Sequence, residues 1–266
     1  TGDPNKGNEQ YNKLITEYKD KPSLPSNMCF IGDTYLRAGD ANTAKSLYDN
    51  VLQVWPKDPQ SIFAKAGMAK IDLSFDRDND AKQIIDEIIN SYKDNPDIAE
   101  AIFGIGDYCR SMAITEREKE VSEANPYNSS YQFLKTGEKV KKYYTKACVA
   151  WERIIQDLPE SDKIAQAYRF AGECYGVLGQ SDKMIENYQI VVDKWPQYNL
   201  AWHLQFMIGR HYEMVKRNGK MTESEADTII KQAYERLIQN YPNCPPAKGV
   251  IRWLDSYNAR VKGGQL

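Results

Sequence analysis

The sequence predicts an all-α protein made of antiparallel helix pairs stacked in chain order, and three observations carry that prediction. The first is internal repetition. Residues 32–56, GDTYLRAGDANTAKSLYDNVLQVWP, and residues 172–196, GECYGVLGQSDKMIENYQIVVDKWP, align without gaps. They share seven identities: Gly32/Gly172, Tyr35/Tyr175, Gly39/Gly179, Tyr48/Tyr188, Val51/Val191, Trp55/Trp195 and Pro56/Pro196. The second is the period. Met28, Ile31, Tyr35 and Leu36 fall on one stripe of a first helix, and Ala44, Leu47, Tyr48, Val51 and Leu52 on one stripe of a second. The third is the punctuation between and after them. Gly39 suits the left-handed residue that follows a helix, Asp40 can cap the next helix, and Pro56 stops it for want of an N–H.

Residues 1–24 read as a tail and a half-repeat, with Glu9 to Asp20 forming a lone second helix. Repeat 1 is 25–58. Repeat 2, 59–96, opens at Gly67, has Lys70 in place of the tyrosine of repeats 1, 4 and 5, and carries Ala81, Ile85, Ile88 and Tyr92 on a slipped second helix. Repeat 3, 97–160, opens at Gly106-Asp107 and ends with Ala147, Trp151, Ile154 and Leu158-Pro159. Its Gly106-to-Pro159 interval is 53 residues, against 24 in repeats 1 and 4, so an insertion of 29 residues lies at 114–142. There TEREKEVSEA lengthens the first helix, NPYNSS breaks it and FLKTGEKVKKYY restarts helix. Repeat 4 is 161–198. Repeat 5, 199–243, runs from Gly209 and Tyr212 to Tyr234, Leu237 and Tyr241-Pro242, with Thr222 and Glu225 spaced as a capping box. Residues 244–266 form a capping helix and tail, with Trp253 and Tyr257 packing back on the stack.

Composition narrows the function. With 35 basic and 37 acidic side chains and a net charge of -2, the chain lacks the excess of Lys and Arg that a general nucleic-acid binder needs. No uncharged apolar run approaches the ~18–20 residues that span a bilayer. The first residue is not Met, so a leader or lipid anchor upstream is neither visible nor excluded. The five cysteines are odd in number and form no CxxC pair, which reads as small buried fillers. His203 and His211 lie two helical turns apart, ~12 Å, too far to share a metal. There is no HExxH, GxSxG or GxxxxGK[ST] sequence. Gly104 and Gly106 are expected to serve close helix packing. No enzyme, metal or cofactor is expected.

The pattern Gly-x-x-Tyr, then a small residue nine on, an aromatic four later, an aliphatic three later and Pro five after that, resembles the tetratricopeptide repeat. Gly32, Tyr35, Ala44, Tyr48, Val51 and Pro56 match it in register, as do Gly172, Tyr175, Tyr188, Val191 and Pro196, with Met184 replacing the small residue. The resemblance covers roughly residues 10–260. It implies a right-handed superhelical solenoid of antiparallel helix pairs whose first helices line a concave groove. The endings WPQYNLAW and YPNCPPAK are similar to repeats of bacterial envelope proteins, including assembly and Tol-Pal-associated lipoproteins, which implies a periplasmic or envelope location.

The resemblance further implies a non-catalytic scaffold binding a protein or peptide, with no nucleic acid and no integral membrane segment. The alternatives are a structural or assembly subunit of a bacterial envelope complex, or a fragment of a longer array; nothing in the sequence sets an oligomeric state. Helical register places the candidate groove contacts at Arg37, Lys65, Glu100, Phe103, Asp107, Arg110, Arg169, Glu173, Phe206, Arg210 and Glu213. Tyr127, Tyr131 and Phe133 are the candidate contacts of the insertion. Family members that clamp a C-terminal carboxylate use a Lys and two Asn at set places, which here hold Cys29, Asp33, Phe103 and Asp107. A tail clamp is therefore not expected.

Overall fold

The computed structural model describes residues 13, 16–18, 21, 23–123 and 136–263. Among them the regular structure is entirely helical, and the chain divides into two compact units, Thr1–Ser161 and Asp162–Leu266. The first unit holds α1 (Leu24–Arg37), α2 (Ala41–Val54), α3 (Ser61–Ser74), α4 (Asp78–Ser91), α5 (Ile98–Glu123) and α6 (Glu138–Asp157). The second holds α7 (Ile164–Val177), α8 (Ser181–Lys194), α9 (Ala201–Arg217), α10 (Glu223–Asn240) and α11 (Ala247–Lys262). Sequential helices pair as hairpins. In the first unit the first helices α1, α3 and α5 also touch in turn; in the second, α8 packs on α9 and α10 on α11, so each unit is a stack of hairpins in chain order.

Local chemistry sets the hairpins. Asp40 accepts the Thr43 N–H at 3.0 Å and caps α2. Thr222 and Glu225 form the expected capping box at the start of α10. Gly39, with φ of 88°, supplies the left-handed residue between α1 and α2. At the corresponding turn of repeat 2 a non-glycine stands in this conformation, Asp76 with φ of 62°. Such a residue costs about 1–2 kcal/mol relative to glycine, although Asp is among the side chains that tolerate it. Two lysines of α6 hold it there: Lys142 Nζ lies 2.8 Å and Lys146 Nζ 2.6 Å from Asp76 Oδ1. Lys146, its side chain only 4% exposed, also donates to the Leu73 carbonyl at 2.7 Å. The inserted hairpin of repeat 3 is thereby tied to the turn of repeat 2. These two cations hold the Asp76 carboxyl down at about 2.

Packing between the helices rests on rings set against glycines. The Tyr48 ring fills the space beside both Gly32 on α1 and Gly67 on α3; Trp151 does the same at Gly106, Tyr188 at Gly172 and Tyr234 at Gly209. Gly104 does not share this role, contrary to the sequence expectation: its nearest neighbour is the end of Lys70, 3.8 Å from a Cβ built there, which is ordinary contact.

The departures from the repeat pattern have compensations. Repeat 1 places Leu36 on its first helix and Ala44 on its second, both buried. Repeat 4 reverses the sizes, with Gly176 facing Met184, whose Sδ would lie 2.8 Å from a Cβ at Gly176. Tyr35, expected in the core, is 39% exposed, whereas Tyr175 is 9% exposed. Lys183 reaches over the Tyr175 ring at 4.8 Å. The residue in register with it in repeat 1, Thr43, is shorter and donates instead to Asp40.

The insertion lengthens α5 to Glu123, as TEREKEVSEA predicts. At its base Lys139 pairs with Glu116 at 2.9 Å and the Gly137 N–H donates to Glu120 at 3.3 Å. The second helix of this repeat, α6, starts at Glu138. Tyr127, Tyr131 and Phe133 lie outside the described residues, as does most of the expected helix from Glu9 to Asp20.

Candidate partner-binding faces

In the first unit the α1 face is organised around Asp33. Its Oδ1 accepts from the Tyr48 hydroxyl at 2.5 Å and its Oδ2 from Lys70 Nζ at 2.7 Å. Lys70 is 7% exposed, so the lysine standing where the repeat expects tyrosine is a buried cation paired with the preceding repeat. Burial, reinforced by Asp33, pushes the neighbouring Cys29 thiol up to about 12. The same two causes raise the Tyr48 hydroxyl far above its ordinary value. Both groups are therefore held in their protonated, non-nucleophilic forms.

The sequence-predicted contacts of this unit separate on inspection. Arg37 ends α1, with Nη2 3.8 Å from Asp107 Oδ2 on α5, both side chains about half exposed. Glu100 is exposed on the first turn of α5, and Arg110 is half-buried two turns beyond Phe103. Lys65 reaches across its own hairpin to Glu87 on α4 at 2.7 Å. Phe103, expected on the groove surface, is 7% exposed and its ring lies 5.7 Å from that of Trp151. The indole that fills the space at Gly106 draws it into the core.

In the second unit Arg169 pairs with Glu173 one turn on, donates from Nε to the Tyr198 hydroxyl at 3.1 Å and lies 3.7 Å over the Phe170 ring. Along α9, Phe206 stacks on Tyr234 at 6.2 Å, and Glu213 joins Arg210 at 2.5 Å to the Tyr234 hydroxyl at 2.8 Å. Burial, then Glu213, raises that hydroxyl well above its ordinary value. The stripe continues through exposed Arg217, which has no carboxylate partner among the described residues. Sequence reasoning stopped at Glu213; one more helical step would have reached Arg217. Among the described residues no group of His, Cys, Asp and Glu is placed to hold a metal ion, and no helix is long and apolar enough to cross a membrane.

Residues 35–102 match the family model of the tetratricopeptide repeat. This part of the chain is similar to the tetratricopeptide repeat. No curated protein matches the sequence. The matched segment holds the Tyr48 ring, the glycine Gly67 and the Lys70 cation, and rings set against glycines recur beyond it at Gly106, Gly172 and Gly209, so the fold is the tetratricopeptide-like all-α solenoid. Tetratricopeptide repeats mediate protein–protein interaction, and the family is typically a non-catalytic scaffold.

One histidine of the second unit has a pH consequence. His211 is 8% exposed, and burial pulls its pKa below the ordinary 6.5; Lys220 acts in the same direction and Asp182 against it. A folded-state pKa below the unfolded one means that, as pH falls through about 6.5, the unfolded chain binds a proton that the folded chain refuses. Stability is therefore lost on acidification in that window. Calorimetry is expected to show the melting temperature falling between pH 7 and pH 5, at ~2–4 °C per kcal/mol for a chain of this size. The His211→Gln variant is expected to fall less. An equal fall in both would assign the dependence to other groups.

Proposed function

We propose that the chain is a scaffold that holds a protein or peptide partner against the inner faces of its first helices, with Arg37, Asp107 and Arg110 contributing in one unit and Arg169, Phe206, Arg210 and Glu213 in the other. The observation that carries this reading is the α9 stripe, where an aromatic ring and charged groups stand in one row fixed by the Tyr234–Glu213–Arg210 linkage. Arg and aromatic side chains are the usual anchors of interfaces, and side chains already held in place lose little entropy when a partner docks. The insertion at 114–142 remains a second candidate surface on its sequence alone, through Tyr127, Tyr131 and Phe133. Phe103 and Lys65 leave the list of contacts, the first because it is in the core and the second because it faces its own second helix.

Crosslinking and pull-down from the native source tests this, comparing the wild-type chain with Arg37→Glu/Arg210→Glu. Both side chains are more than half exposed, so the variant is expected to keep its helicity and lose the captured partner. An unchanged set of partners at equal helicity would remove the inner faces from consideration and leave the insertion or the outer helices.

A further inference from the structure

On the opposite side of α9 from that stripe lies a second concavity. Gln205, Ile208, His211 and Val215 sit roughly half a turn around the helix from Phe206, Arg210, Glu213 and Arg217. They floor a cleft of about 750 Å³ walled by α8 and α10, within the ~300–1,000 Å³ typical of small-ligand sites.

Two floor side chains, both more than nine-tenths buried, carry polar atoms without a hydrogen-bond partner: Gln205 at Oε1 and His211 at Nδ1. The Gln205 amide is oriented by its neighbour. Its Nε2 donates to the Ala233 carbonyl at 3.2 Å; that oxygen can only accept, so Oε1 is turned away and left needing a donor. The His211 nitrogen donates in one tautomer and accepts in the other. An unsatisfied buried polar atom costs about 1–3 kcal/mol, and here two occur along one face of one helix.

The remaining lining narrows the ligand. Its formal charges cancel, Asp182 and Glu186 against Lys220 and Arg236, and Arg236 is already joined to Asp193 and the Val192 carbonyl. With Arg236 so engaged, Lys220 is the cation left against two carboxylates, so the lining does not select an anion. Carboxamides are abundant instead: Gln189, Gln232 and Asn218 line the walls, and Gln189 spends its N–H groups on Asp193 at 3.0 Å, which leaves its carbonyl. Ile185 and Ile208 supply an apolar surface between them. A hydroxyl group both donates and accepts, so it satisfies Gln205 Oε1 and either tautomer of His211, while the C–H face of a ring lies against the isoleucines. We propose that this cleft binds a neutral, polyhydroxylated ligand of the saccharide class, one or two sugar rings in size. This site is independent of the partner-binding reading and occupies the other face of the same helix.

Ligand-observed saturation-transfer NMR on the full chain tests it, with neutral hexoses, N-acetylhexosamines and their disaccharides at ~10 mM, and gluconate as the ionic control. At least one neutral sugar is expected to show transfer, with gluconate showing none. Affinity is expected to fall tenfold or more in Gln205→Leu and in His211→Phe. Because both side chains are buried, Gln232→Trp at the exposed cleft wall provides a variant that blocks entry without touching the floor, and it is expected to abolish transfer at unchanged melting temperature. Transfer from none of the neutral sugars, transfer that survives Gln232→Trp, or equal transfer from gluconate would each overturn the proposal. So would a crystal structure, grown with the sugar, in which a water alone bridges Gln205 and His211.

Discussion

Asp33→Ala is expected to destabilise the first unit by about 3 kcal/mol, in the range for removing one partner of a buried ion pair. The substitution leaves Lys70, its side chain 8% exposed, without its carboxylate, and takes the acceptor away from the Tyr48 hydroxyl as well. Lys70→Met is expected to cost less, about 1–2 kcal/mol, because Asp33 keeps the Tyr48 donor and its side chain is 29% exposed, so water solvates the charge that remains. The asymmetry follows from which ion is left behind. In the double variant Asp33→Ala/Lys70→Met no buried charge remains, and stability is expected to recover part of the loss, since apolar replacement of a buried pair is often neutral. Urea unfolding of the four proteins measures the cycle. If Lys70→Met proves as costly as Asp33→Ala, or the double variant loses the sum of the two, the pair is not the electrostatic unit described above.

How far the sequence could be read depended on how local the chemistry was. The Gly39-Asp40 break, the Thr222–Glu225 capping box and the extension of α5 are settled within a turn or two of chain, and each stands in the structure as its residues predict. Lys70 was visible as a departure but not as a partner of Asp33, because the two are 37 residues apart and meet only when α1 and α3 lie side by side. The tie from Lys146 to Asp76 spans 70 residues and was invisible for the same reason. Helical register gave Phe103 a face but not its depth; that is decided by the size of Trp151, which arrives from the far side of the insertion. The cleft behind α9 had no sequence signal beyond His211, since it depends on which carboxamides three separate helices bring together.

The same Gly→Ala change is expected to have opposite signs at two helical positions. At Gly249 in α11 a Cβ would meet nothing within 4 Å, so Gly249→Ala is expected to stabilise by about 0.5–1 kcal/mol through helix propensity alone. At Gly32 the new Cβ would lie 2.5 Å from Tyr48 Cε1, closer than side-chain atoms approach. The ring cannot withdraw on its far side, because it also fills the space at Gly67 of the next hairpin, and its hydroxyl is held by Asp33. Gly32→Ala must therefore part α1 from α2 or push α2 onto α3, and overpacking of this kind typically costs about 1–3 kcal/mol, more than the propensity gain returns. Shrinking the ring should release the strain: in a Tyr48→Leu background the cost of Gly32→Ala is expected to fall by at least about 1 kcal/mol, a coupling that a double-mutant cycle resolves. Additive effects within ~0.5 kcal/mol would mean that the glycine and the ring are not in contact in solution. The repeated spacing of glycine and aromatic would then need an explanation other than helix packing. A resolved coupling would give two of the seven identities shared by the two copies, Gly32 and Tyr48, a measured cause.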